Sequence, residues 1–233
     1  VLLESYEGTG SYVGNVALNI AVLEGGRLDR IVLAESGSEA LVFSRADVKL
    51  SRGATLNQTI LTTGSKLQRL ETRVIHPGEN VEVRLDGVYA LSGAAHADLT
   101  SIVDHIGPSG QTSQLIKGVV HDTARGVFQG KIIVQRGADG TDARMGHHAL
   151  IASERGEVDA KPELIIYADD VQCAHGNTVG TLDESALFYM QQRGIPADEA
   201  RALLTQAFLI EVVDRIEDEA AREVVREWLE ARL

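Results

Sequence analysis

Three corners of similar make-up, Gly25-x-x-Leu28, Gly53-x-x-Leu56 and Gly78-x-x-Val81, are each followed by a β-prone run, at spacings of 28 and 25 residues. A unit of that size is too short to bury its own apolar face, and it points to rungs that stack on their neighbours. From Tyr12 to about Ile106 the runs VALNIAVL, RIVLAES, ALVFS, QTILTTG, TRVIH, VEVRL and VYALSG alternate with glycine-containing corners, and no amphipathic helix fits them. KGVVHD, GVFQG and KIIVQ continue the theme between Leu115 and Val134, and β character runs to about Val179. A β-sandwich also accommodates three loose matches, so these residues alone leave a solenoid and a sandwich open.

Composition narrows the partners. Aromatics are only 4% of 233 residues, with 23 glycines, so the core must be built from Val, Ile, Leu and Ala around many tight corners. The length suffices for one core with a small appendage. A formal charge of −12 argues against a phosphate-backbone binder, so nucleic acid is not expected. No apolar run approaches the roughly 18 residues that span a bilayer, and no basic-then-apolar leader is present, so a soluble protein without a membrane partner is expected. The single Cys173 excludes an intrachain disulfide framework and a self-contained multi-cysteine cluster, and points to a reducing, cytoplasmic compartment. The chain starts at Val1 inside an apolar stretch, which reads as a trimmed piece of something longer.

After Gly180 the character changes, which divides the chain into a β core over 1–180 and a small helical subdomain over 181–233. DESALFYMQQ, Asp183 to Gln192, is acid-started and helical, with Gly194 as a stop. Pro196, Asp198 and Glu199 open a second helix. Ala221, Val224, Val225 and Trp228 recur at the spacing of a third. Leu203, Leu204, Ala207, Phe208 and Ile210 are more apolar than one buried face requires, and this segment carries 12 acidic residues against 6 basic.

The most informative stretch for chemistry is KPELIIYADDVQCAHGNTVG, Lys161 to Gly180. In an extended strand Cys173 and His175 share one face, with Asp169 on the same side and Asp170 on the other. A thiolate and an imidazole two residues apart can share a soft metal ion but cannot complete its shell, so further donors must come from elsewhere in the chain or from a partner. A buried cysteine beside a hydrogen-bonded histidine fits the same residues. His147 and His148 point to opposite faces of a strand, His96 and Asp98 form a structural same-face couple, and Gly137-Ala-Asp139-Gly140 is a turn without the ending of a phosphate loop. No serine elbow and no Walker motif occur.

The ordered series KGVVHDTARGVFQGKIIV, GTDAR, KPELIIYADDVQCAHGNTVG and LDESALFYMQQRGIP, with LDGVYALSGAAHADLTSIVDHIGPSGQTSQLIKGVV upstream, resembles the SufD branch of the SufB/SufD family of iron–sulfur cluster assembly proteins. The resemblance covers nearly the whole chain and lacks the family's N-terminal region. It implies a right-handed parallel β-helix followed by a small C-terminal α-helical subdomain. It also implies a non-enzymatic scaffold that pairs with SufB through the β-helix and docks the SufC ATPase through the helices. Cys173-Ala-His175-Gly176 matches the family's Cys-x-His-Gly, which implies that His175, with Cys173, meets iron or a nascent cluster at the SufB junction. The cluster would be transient in the complex, with no cofactor held tightly by the isolated chain, whose homodimerisation stays open. At TDARMGHHALIAS the chain departs from the pattern: relatives favour a Lys before the Thr and Asn at the places of His147 and Ala149, so a polar ladder of those Asn is not carried over. Two rivals from other classes are a carbohydrate-active β-helix enzyme, which needs acids and stacking aromatics on an outer sheet, and a purely structural self-associating solenoid.

Overall fold

A computed structural model describes residues 1–233. Thirteen strands alternate between two sheets. Sheet A holds β1 (Leu2–Gly8), β3 (Arg27–Ser36), β5 (Thr55–Gly64), β7 (Glu82–Leu91), β9 (Gln111–Val120), β11 (Thr141–Ile151) and β13 (Val171–Gly180). Sheet B holds β2 (Val13–Val22), β4 (Leu41–Leu50), β6 (Leu67–His76), β8 (His96–His105), β10 (Arg125–Val134) and β12 (Glu157–Ile166). Within each sheet every pairing is parallel and joins strands two places apart in the chain, the signature of a β-solenoid of about six turns and not of a sandwich. The rung repeat ranges from 26 residues (Leu41 to Leu67) to 32 (Arg125 to Glu157).

The corner repeat is real, but its third member is displaced. Gly25 and Gly53 adopt φ of 64°, and the stack continues through Asn80 (φ 54°), Ser109 (φ 55°) and Gly140 (φ 75°). Each N–H donates to a carbonyl of the next corner: Gly25 to Arg52, Gly53 to Glu79, Asn80 to Pro108, Ser109 to Asp139 and Gly140 to Asp170. Leu56 therefore registers with Val83 and not with Val81. Asparagine tolerates the left-handed region, so backbone conformation persists where the glycine does not. Gly78 serves close approach instead: a Cβ there would lie 2.3 Å from the Arg52 backbone nitrogen. Two expected breaks also vanish. VEVRL and VYALSG are one strand, β7, and GVFQG and KIIVQ are one strand, β10. Asp86-Gly87 runs straight through because Gly87 lets Ile116 and Leu99 pack against the backbone.

Period-2 alternation sends one side chain of each pair inward, and parallel register stacks them in columns. One such column is Leu28, Leu56, Val83, Thr112, Ala143 and Cys173.

Three helices follow: α1 (Glu184–Gln192), α2 (Ala197–Val213) and α3 (Glu219–Glu230). Asp183 caps α1 by accepting from the Ser185 and Ala186 N–H groups, and Asp218 caps α3 by accepting from Ala221. Leu209, Val212, Val213, Val225 and Leu229 bury themselves with Ile31, Leu33, Leu61, Val88, Leu115 and Val119 of sheet A's outer face in one apolar cluster. The inward stripe of α3 runs through Val225 and Leu229, while Val224, expected on it, is exposed. Ion pairs bind the rim: Glu217 to Arg27 (2.7 Å) and Arg84 (3.0 Å), Arg215 to Asp86 (3.0 Å), Glu211 to Lys117, and Arg232 to Glu35. The outer face of sheet A is thus covered over β3 to β9, sheet B's outer face is bare, and the final rung of β12 and β13 has no strand beyond it. No helix is long and apolar enough to cross a membrane.

Two fully buried imidazoles sit at one corner. His76 and His105 are register neighbours with ring centroids 4.2 Å apart, edge to face. Only His105 Nε2 is bonded, to Thr112 Oγ1 at 2.9 Å, and the other three ring nitrogens lack partners. Burial pushes His76 down to about 4 and His105 down to about 3. Above the unfolded value of roughly 6.5 both states are neutral; as pH falls below it the unfolded chain takes up protons first, so stability drops until the folded values are reached, by on the order of 3 kcal/mol for His76 alone. Asp86, pushed up to about 7 by burial, pulls the opposite way across that range, so a variant comparison isolates the histidines. Urea midpoints of wild type and His76→Gln/His105→Gln should converge between pH 7.5 and 4.5; parallel pH curves would show that the pair contributes no linkage.

Candidate functional site

The last strand places the chemistry. Alternation along β13 gives Val171, Cys173, His175, Asn177 and Val179 the inward face. Val171 and Cys173 pack against the core from above, whereas His175, Asn177 and Val179 are exposed because no further rung covers them. Cys173 is half-buried, and desolvation raises its thiol pKa, so it is neither the inert core cysteine nor the bare thiolate of the two simple readings.

The expected alternation of Asp169 and Asp170 with this row does not hold. The strand begins at Val171, and both acids lie exposed in the preceding corner, where the Asp170 carbonyl closes the corner ladder by accepting from Gly140. The corner has no glycine or proline, so nothing in YADDV marks the boundary. The chain nowhere gathers three or more His, Cys, Asp or Glu side chains in metal-binding proximity. Cys173 and His175 are therefore a soft sulfur and nitrogen pair on an open face, chemically suited to iron and needing donors from outside the chain to close a shell.

A polar network that the sequence did not reveal lies directly beneath. His147, register partner of Asn177, is fully buried. Its Nδ1 is 2.7 Å from Asn177 Oδ1 and its Nε2 is 2.9 Å from the Tyr89 hydroxyl. In place of an asparagine ladder this chain has an imidazole bridging two rungs. His148 faces outward, as expected, with Nδ1 2.7 Å from Thr178 Oγ1. His96 is partly exposed, while Asp98 beside it accepts from Arg69 (3.0 Å) and Thr100 (2.7 Å), as a structural residue would. A trough of about 510 Å³ on the outer face of sheet B is lined by Arg45, Asp47, Lys49, Arg73 and Asp104 among others and by no aromatic ring, which gives a sugar nothing to stack on there.

Comparison with known proteins decides the family. Residues 1–208 match the family described as SUF system FeS cluster assembly, SufBD core domain. The chain is a SufD-type member of the SufB/SufD family. It is 32% identical over 214 residues to the iron–sulfur cluster assembly protein SufD of Escherichia coli, covering 92% of this chain and 51% of that one. It is 30% identical over 227 residues to protein ABCI7, chloroplastic, of Arabidopsis thaliana, covering 96% and 47%, and 31% identical over 141 residues to SufD of Bacillus subtilis, covering 60% and 32%. The chain spans about half the length of the first of these relatives.

The half-buried, desolvated thiol has a direct consequence. At pH 8 iodoacetamide should alkylate Cys173 in the folded chain at least about tenfold more slowly than in urea; equal rates would place the sulfur in free solvent.

Proposed function

We propose that this SufD-type chain is a scaffold subunit without catalytic chemistry of its own. It pairs with SufB along the free edge of β13 and presents His175, with Cys173, to a nascent iron–sulfur cluster at that junction. Through α1 to α3 it docks SufC, to which the ATP chemistry belongs. The observation that carries the reading is the uncovered final rung, where an incomplete sulfur and nitrogen donor pair lies on a strand with one unpaired edge. A shared site needs such a pair, and an open edge recruits another chain through backbone hydrogen bonds. The neighbouring edge strand β12 carries Pro162, which removes a donor, whereas β13 has no proline. The cluster is cargo assembled between subunits, and a chain whose single cysteine is a free thiol suits a reducing compartment such as the cytoplasm.

The SufC surface is supported by what the helices leave uncovered. Leu209 and its neighbours are spent on sheet A, but Phe188 (64% exposed), Tyr189 (59%) and Leu203 (42%) remain bare. With the acidic side chains around them they suit an apolar contact with a basic rim, within an interface of roughly 800 Å² per partner.

Two substitutions in the full-length protein, co-purified with SufB and SufC, test this reading. His175→Ala should leave the complex intact and shift stability by less than about 1 kcal/mol while cluster formation fails; normal cluster yield would refute the site. Phe188→Asp/Leu203→Asp should weaken SufC capture by at least about tenfold and leave SufB pairing unchanged. Equal loss of both partners would contradict the division of labour.

A further inference from the structure

The rungs beneath the open face contain a buried device that the site as described does not use. The His147 ring is near-parallel to two aromatic rings, to Phe128 with centroids 5.0 Å apart (7°) and to Tyr89, whose hydroxyl meets its edge, with centroids 5.9 Å apart (21°). Space for this stack is made by glycines in mid-strand. A Cβ at Gly118 would lie 1.9 Å from the Tyr89 ring, one at Gly126 2.5 Å from the same ring, and one at Gly130 2.6 Å from Phe128 and 2.2 Å from Met145 Sδ. Glycine weakens a strand interior, and three on two facing sheets converge here to admit these rings.

The hydrogen bonds run in one direction. The Tyr89 hydroxyl is fully buried and has His147 Nε2 as its side-chain partner, so it donates there. That leaves the imidazole proton on Nδ1, which donates to Asn177 Oδ1. With its oxygen engaged below, Asn177 is exposed on the open face and its amide nitrogen is left without a partner in the chain. His175 is its next neighbour on that face, roughly 6.6 Å along the strand.

We infer that Asn177 is a hydrogen-bond donor to anionic sulfur, as sulfide or thiolate, held at the open rung, and that Tyr89 and His147 are the positioning residues that aim it. The inference rests on the assignment of Cys173 and His175 proposed above. Sulfur bound there carries negative charge and accepts N–H bonds, and such bonds are one of the means by which a protein tunes bound cluster sulfur. A purely structural Asn177 needs only its oxygen. A donor needs the nitrogen, and the two roles separate at one substitution.

Asn177→Asp keeps an acceptor for His147 Nδ1–H and replaces the outward donor by a negative charge. In the full-length chain assembled with its partners and supplied with ferrous iron and inorganic sulfide, this variant should raise the sulfide concentration for half-maximal cluster formation by about tenfold. Its thermal midpoint and the imidazole ¹⁵N signals of His147, with Nδ1 protonated, should stay as in wild type. Tyr89→Phe/His147→Leu removes both buried polar partners together at nearly unchanged side-chain size, so it leaves no buried polar group orphaned; it should shift sulfide dependence in the same direction. Wild-type sulfide dependence in Asn177→Asp overturns the inference, as does an Nε2-protonated His147 in the unmodified chain. If His175→Ala abolishes assembly while Asn177→Asp behaves as wild type, the site stands and the donor role falls; full activity of His175→Ala removes the site itself.

Discussion

A solenoid rung buries its inward residues only against the rung above and the rung below, and every other feature of this chain follows from that dependence. Parallel pairing repeats the backbone ladder from turn to turn, and the inward columns fill a core that no single rung could close. The left-handed corners hold the turns in step, each N–H bonded to the next corner's carbonyl. Where stacking stops, the same geometry that buries Ala143 and Met145 leaves Cys173 half-covered and His175 bare. The candidate site is the unfinished end of the core.

The helices complete a different surface. They cover the outer face of sheet A over β3 to β9 with one shared apolar cluster and a rim of ion pairs, including the buried Asp86 under Arg215. Motion of α2 relative to the strands would have to break these contacts, and α1 meets the wall through its packing on α2. The open rung belongs to that same wall, since β7, β9, β11 and β13 are successive strands of sheet A.

Much of this was legible in the sequence, for identifiable reasons. Glycine corners at Gly25 and Gly53 announced the repeat, and Asp183 and Gly194 marked the limits of α1, because each of these residues is selected by a local backbone requirement. The third corner is hidden because Asn80 fills a glycine's place, and β7 looks divided because Asp86-Gly87 resembles a turn until the strand side chains that pack on Gly87, Ile116 and Leu99, are known. Cys173 and His175 were visible as a motif, but their exposure depends on the absence of a rung above, which local spacing does not encode. The Tyr89, His147 and Asn177 chain was invisible for a related reason: its members lie 58 and 30 residues apart and meet only through register.

The central claim is that the final rung is an uncapped edge completed by a partner. Amide hydrogen exchange of the full-length chain, alone and bound to SufB, tests it most directly. The account predicts that amides of β13, residues 171–180, exchange rapidly in the free chain and become strongly protected on pairing, while those of β5 and β7 stay protected in both. Slow exchange of β13 in the free chain, or no change on binding, would contradict it.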